Sequence, residues 1–157
     1  MGGNRFIACL AALAASGLLA SGCSKSEPDD TPTACLAGSD VYLNALQAAP
    51  GDVRLEGETP ISECLVPEPT SGDLSESGRQ LIKAATDLNA ASRRDPTGPE
   101  AVQLGYLIGA VERGSDSAHA DLVLRINSAA RFSPEGLLPA EFERTFGEGY
   151  NAGLDSG

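Results

Sequence analysis

Apolar residues follow two different patterns along this chain. From position 6 to 20 they form an uncharged run rich in Ala and Leu, whereas after position 38 they recur every three or four places, the period of one helix face. Between the two lies SKSEPDDTPTA, residues 24–34, polar, proline-punctuated and without periodicity, which predicts a disordered tether. A first helix is expected from Ser39 as N-cap, with Tyr42, Ala45, Leu46 and Ala49 on one face and Pro50-Gly51 stopping it. Residues 51–72 are irregular, broken by Pro60, Pro67 and Pro69, with thin support for a short strand at 53–55.

From Asp73 the pattern turns strongly helical. Asp73 and Glu76 form a capping-box-like start, and Leu81, Ala84, Ala85 and Leu88 follow at helical spacing. Residues 95–99, DPTGP, break this second helix, and Pro99 suits the first turn of a third. Leu104, Leu107, Ile108 and Val111 make the cleanest stripe in the chain, which Gly114 ends. Ser115 or Ser117 would cap a fourth helix with Leu122, Val123, Ile126 and Ala130 inward, stopping before Ser133-Pro134. Pro139 opens a fifth, where Leu138, Phe142, Phe146 and Tyr150 step by four and Gly147, Gly149 and Gly153 fray the end.

Strand signals are sparse, so the expected fold class is all-α: a small helical bundle or orthogonal array of about five helices behind an irregular N-terminal segment. The third and fourth helices, with a short connection, are expected to form an antiparallel hairpin. Gly105 and Gly109 would give a neighbouring helix a packing groove. The organisation that follows is a signal at 1–22, a tether at 23–34 and one helical domain at 35–157. Within that domain, 35–72 is irregular and 73–157 is the helical core.

The first stretch changes the picture from fold to address. Arg5 is the sole charged side chain before Lys25; an apolar run follows, then small residues, the layout of a secretory signal. The run is too short and Ala-rich for a membrane span, which needs about 20 strongly apolar residues. Leu19-Ala20-Ser21-Gly22-Cys23 resembles the lipobox of bacterial lipoproteins, with Ala20 where that family usually has Leu. The resemblance implies cleavage before Cys23, lipidation of its thiol (diacylglyceryl, palmitate-type chains) and anchoring to the lipid bilayer of the cell envelope. Ser24 implies the outer membrane in a diderm organism, and otherwise the outer face of the cell membrane. An ordinary cleaved signal followed by an incidental cysteine is the alternative.

Cysteines and charge narrow the rest. Cys9 leaves with the signal and Cys23 carries lipid, so Cys35 and Cys64 remain in a compartment where disulfides persist. A bridge between them is expected, stabilising by roughly 3–4 kcal/mol in the chain-entropy model. Free thiols or metal ligands are the alternatives; with His119 as the single histidine and no CxxC, a metal site is not expected. Removing Arg5 from 11 basic residues leaves 10 against 22 acidic ones, a formal charge of −12. Such a surface excludes nucleic acid as a partner and repels anionic headgroups. Without Trp, aromatic platforms for sugars are scarce.

Candidate chemistry is thin. His119 stands among Ser115, Asp116, Ser117 and Asp121, the composition of a nucleophile triad, but all come from one turn without a G-x-S-x-G elbow; a solvated helix start is expected. Glu56, Glu58, Glu63 and Glu68, and Glu141, Glu143 and Glu148, read as solvated carboxylates. No phosphate loop or calcium loop occurs, so no cofactor is expected. Phe142, Phe146 and Tyr150 are a candidate interaction face, or else core.

One resemblance reaches the helical part. Asp95-Pro96, Glu100-Ala101 and Leu104-Gly105 resemble the junction between tetratricopeptide-type repeats, over 95–134. One residue is missing before Leu104, and no second copy recurs at a period of about 34. The resemblance implies a concave protein- or peptide-binding surface. The expected function is a membrane-anchored envelope lipoprotein that binds or scaffolds another envelope protein without catalysis. The alternative is a hydrolase-type enzyme or an enzyme inhibitor acting through the acidic 51–72 loop.

Overall fold

The computed structural model of the chain describes residues 29–131 and 138–157; Cys23, the export-type stretch and Ser133-Pro134 lie outside the described residues. The described part is all-α, as the patterning predicts, with α1 (Thr33–Leu36), α2 (Ser39–Leu46), α3 (Ser71–Ser92), α4 (Pro99–Gly114), α5 (Ala120–Ala129) and α6 (Ala140–Ser156). Two 3-10 turns, Ile61–Cys64 and Ser117–His119, complete it.

α4 is the axis of the core. Its residues from Leu104 to Val111 are buried on every side, Tyr106 and Ala110 as fully as Leu104 and Leu107, as expected of a helix apolar all round. α6 packs chiefly on α4, and α5 chiefly on α3. The expected hairpin of the third and fourth helices, α4 and α5, is therefore not the main packing, although the two touch. α5 is only ten residues with Leu122 and Ile126 buried, and it is seated across α3 where Gly78 makes room for Leu122.

Directions follow from the contacts. The starts of α3 and α5 share a groove lined by Ser71, Leu74, Gly78, Ala118 and Leu122. Their ends meet where Asn89 Nδ2 donates to Ala129 O (2.8 Å) and Arg131 O (2.9 Å), joined by Arg93 Nη2 to Arg131 O at 2.7 Å. These bonds satisfy carbonyls that the end of α5 leaves without intrahelical partners. α3 and α5 thus run the same way. α4 returns after the 93–98 connection, since its last residue Gly114 abuts Ser62 just upstream of α3. α6 runs with α4: Val102 and Tyr106 face Gly149, and Tyr106 and Ala110 face Gly153.

Several boundaries differ from expectation for identifiable reasons. α3 is capped by Thr70, whose Oγ1 accepts from Asp73 N at 3.1 Å; Asp73 lies inside the first turn and Glu76 bonds Arg79 and Gln80 instead. Ser39 is the first helical residue of α2 rather than its cap, and after Leu46 the chain tightens into i→i+3 turns, leaving Ala49 outside the helix. The tether expected to run to residue 34 ends sooner. Asp29 N already bonds Glu68 O at 2.9 Å, and α1 buries Ala34 and Cys35. Nor do the glycines of α6 fray it: the helix runs on to Ser156, with Gly149 and Gly153 lying against α4 and Gly147 on the open side.

The Cys35–Cys64 disulfide is formed, with Cα atoms 5.4 Å apart. It closes a segment that is irregular yet packed: Val53, Leu55 and Ile61 are fully buried. In place of the expected strand there is one bridge, Leu55 to Thr59, around Glu56 and Gly57 with φ of 52° and 83°. Tyr42 locks the lobe, donating from its buried hydroxyl to Cys35 O at 2.8 Å with Cys64 Sγ at 3.5 Å. Burial pushes its phenol well above the ordinary range. Tyr42→Phe should lower unfolding free energy by about 1–2 kcal/mol in urea titration, because Cys35 O loses its side-chain donor.

Candidate interaction face

The four-residue step of aromatic residues on α6 is present as a ladder. Phe142 and Phe146 have ring centroids 5.6 Å apart, and Phe146 stacks on Tyr150 at 6.2 Å with 16° between planes. Their exposure differs. Phe142 is 3% exposed and belongs to the core, which removes it from any interaction face. Phe146 and Tyr150 are half-buried and pack against the core from its edge. Leu138, just before the helix, is exposed. The candidate face is thereby reduced to two rings.

Tyr150 is tied across the helix pair, donating to Glu112 Oε2 at 2.5 Å, and this hydrogen bond, ahead of burial, raises its pKa above the phenol value. No sequence pattern announces that bond, since the partners are 38 residues apart. A signal did exist for the packing beneath it: the four-residue glycine step occurs on both helices.

His119 is buried rather than solvated. Asp116 caps the 3-10 turn by accepting from Ala118 N at 2.8 Å, and its Oδ1 lies 2.8 Å from His119 Nδ1. His119 Nδ1 in turn lies 3.2 Å from Asp116 N, a reciprocal capping box. Nε2 meets no polar partner. The ring has no solvent exposure, so no incoming molecule touches it, and Ser115 Oγ bonds Glu112 O, not the imidazole. This is a cap built around a histidine.

The Ala118 N–H, with His119 beside it, holds the Asp116 carboxyl below the usual carboxylate range. A carboxyl depressed by folding stabilises above its unfolded pKa and loses that contribution as pH falls through the folded value. Asp116→Asn should therefore be less stable than the parent at pH 7, and the difference should shrink as pH falls below about 4, flattening the acid limb in thermal melts at successive pH values.

Glu56, Glu58, Glu63 and Glu68 are exposed, as are Glu141, Glu143 and Glu148. No group of three or more His, Cys, Asp or Glu among the described residues is placed to hold a metal ion. The groove between α3 and α5, lined also by Asp121 and Arg125, offers 190 Å³, and two shallow surface grooves beside Arg54 and beside Asn89 offer 340 and 380 Å³, at the low end of the roughly 300–1,000 Å³ of ligand pockets. The arrangement can present a surface; it brings no two of the candidate acids into a common cleft among the described grooves. In comparison with known proteins, the chain matches no family model, no curated protein and no solved structure.

Proposed function

We propose that this chain is an exported lipoprotein of the cell envelope, cut before Cys23, acylated there, and carrying a helical domain that binds or scaffolds another envelope protein. The observation that carries the reading is the pairing of an export-type start, ending Ala20-Ser21-Gly22-Cys23, with a Cys35–Cys64 bridge between the two cysteines left over. Reducing cytosol keeps thiols apart, so a structural disulfide supports an oxidising compartment. The half-buried Phe146 and Tyr150 at the edge of α6 supply a surface for a protein partner. An enzyme or inhibitor working through the acidic 51–72 loop gains no support from the exposed carboxylates there.

Intact mass of the protein taken from its native membrane, with and without reductant and alkylation, tests the address. The expected product begins at Cys23 with added acyl mass and two thiols protected until reduction. A soluble, unacylated product would sink it. Crosslinking through residues placed beside Phe146 and Tyr150 then tests the partner, with capture expected of an envelope protein and lost in Phe146→Ala/Tyr150→Ala.

A further inference from the structure

The half-buried ring pair of α6 is bracketed by acids that nothing neutralises. Phe146 and Tyr150 lie nearly parallel, with 16° between planes and centroids 6.2 Å apart. At the Tyr150 end, Glu112 of α4 is exposed, and its Oε2 accepts from the phenol hydroxyl at 2.5 Å. Its Oε1 meets no donor among the described residues, so it is left to accept from outside. At the other end, Glu143 stands three positions before Phe146, about 60° round the helix on the side of Tyr150. Its side chain is exposed too, and it forms no ion pair among the described residues.

Between the two acids the surface is open. Gly147 lies on the same edge of α6, and a Cβ there would meet nothing within 4 Å, so a side chain from outside can lie along the rings unobstructed. The cations of this region are placed elsewhere. Arg113, next to Glu112, spends Nη1 on the carbonyls of Leu154 (2.8 Å) and Asp155 (2.5 Å). Arg144 lies about 160° round α6 from Phe146.

This chemistry selects the occupant. A ring face attracts a cation through its quadrupole, and a carboxylate oxygen beside it supplies the counter-charge and a charge-assisted hydrogen bond. The formal charge of −11 on the chain repels a second copy, nucleic acid and anionic headgroups alike. The same field draws in a basic partner. Resting on the protein-binding reading, we infer that this face receives an arginine from a basic segment of the partner protein, its guanidinium laid over the Phe146–Tyr150 pair and donating to Glu112 Oε1. Glu143 provides counter-charge for a second basic residue of the same segment. Arginine fits better than lysine, because the planar guanidinium stacks on a ring while its N–H groups still donate sideways.

The probe is an acetylated, amidated pentapeptide alternating glycine with arginine, and its counterpart carries citrulline, nearly the same shape without the charge. Each would be titrated into the isotope-labelled full chain in zwitterionic detergent, with backbone amide shifts followed by NMR. Shifts centred on Glu112, Gly147 and Tyr150 are expected, with the arginine peptide binding several-fold tighter. Glu112→Gln, which keeps an acceptor for the Tyr150 hydroxyl, should weaken the arginine peptide about two- to fivefold, and Phe146→Leu should do likewise. Glu148→Gln removes the same charge from the opposite side of α6 and should leave affinity unchanged. Equal affinity for the two peptides, equal losses from Glu112→Gln and Glu148→Gln, or no shift at this face overturns the arginine site. A native partner crosslinked beside Phe146 whose capture survives Glu112→Gln also overturns it, while leaving the protein-binding reading in place. Intact mass of the same sample tests acylation at Cys23 separately, since the peptide titration reads the face with or without lipid.

Discussion

Gly105→Ala or Gly153→Ala should unseat α6 and lower stability by at least about 3 kcal/mol, among the largest effects any single methyl can have in this chain. A Cβ on Gly105 would lie 2.8 Å from Tyr150 N, and one on Gly153 2.8 Å from Ala110 N, with a backbone oxygen closer still in each case. The obstacles are backbone atoms of the facing helix, which cannot rotate away as a side chain would. The two helices must separate, and Phe142 then leaves its site in the core. Amide hydrogen exchange across α6 and proteolysis within it should accelerate sharply, ahead of any change in α3. Gly147 provides the control: a Cβ there meets nothing within 4 Å, so Gly147→Ala should raise stability by up to about 1 kcal/mol through helix propensity. If both classes of substitution behave alike, the close approach is not what holds α6.

Loss of the disulfide should be comparable in size. In Cys35→Ala/Cys64→Ala the denatured chain regains the freedom of a loop with sequence separation 29, worth roughly 3–4 kcal/mol. The loss should fall unevenly. Val53, Leu55 and Ile61 lack regular secondary structure to hold them, so the lobe around Tyr42 should loosen at lower denaturant than α3 and α4. Tyr42 loses the Cys64 sulfur beside its hydroxyl at the same time, which near-ultraviolet circular dichroism would register. A single cooperative transition with only a few tenths of a kcal/mol lost would mean that the packed lobe needs no covalent closure.

Much of the helical content was legible because the apolar spacing is strict where it matters. Leu81, Ala84, Ala85 and Leu88 in α3 and Leu104 to Val111 in α4 sit where the period puts them. The bridge was legible from the elimination of Cys9 and Cys23. Pairing between helices was not, because periodicity marks a buried face and names no partner for it. Connection length argued for α4 with α5, whereas close backbone contact joined α4 to α6. The sign of that contact is visible as glycines four apart on both helices, but on α6 the same residues also carry the signature of helix breakers. In isolation each glycine weakens a helix; against a partner, each removes the bulk that would keep the axes apart. His119 is buried against the sign of its polar neighbours for a related reason. A polar turn reads as solvated unless its members satisfy one another, and the reciprocal bonding of Asp116 and His119 is what allows the ring inside. The candidate face shrank because the ladder on α6 is tilted across the boundary between core and solvent, taking Phe142 in and leaving the next two rings half out.

The glycine contact has one further consequence. On both helices the small residues recur every four places, so sliding α6 by four residues, about 6 Å, would again bring glycine against backbone along part of the interface. Close packing alone leaves the pair translationally degenerate. The alignment actually adopted is selected by groups with reach: Tyr150 on Glu112, Arg113 on the carbonyls of Leu154 and Asp155, and Tyr106 beside Ser156 at 3.3 Å. Such a slip would break all of these, each worth on the order of 1 kcal/mol, so hydrogen bonds that add modestly to stability act together as a vernier stop.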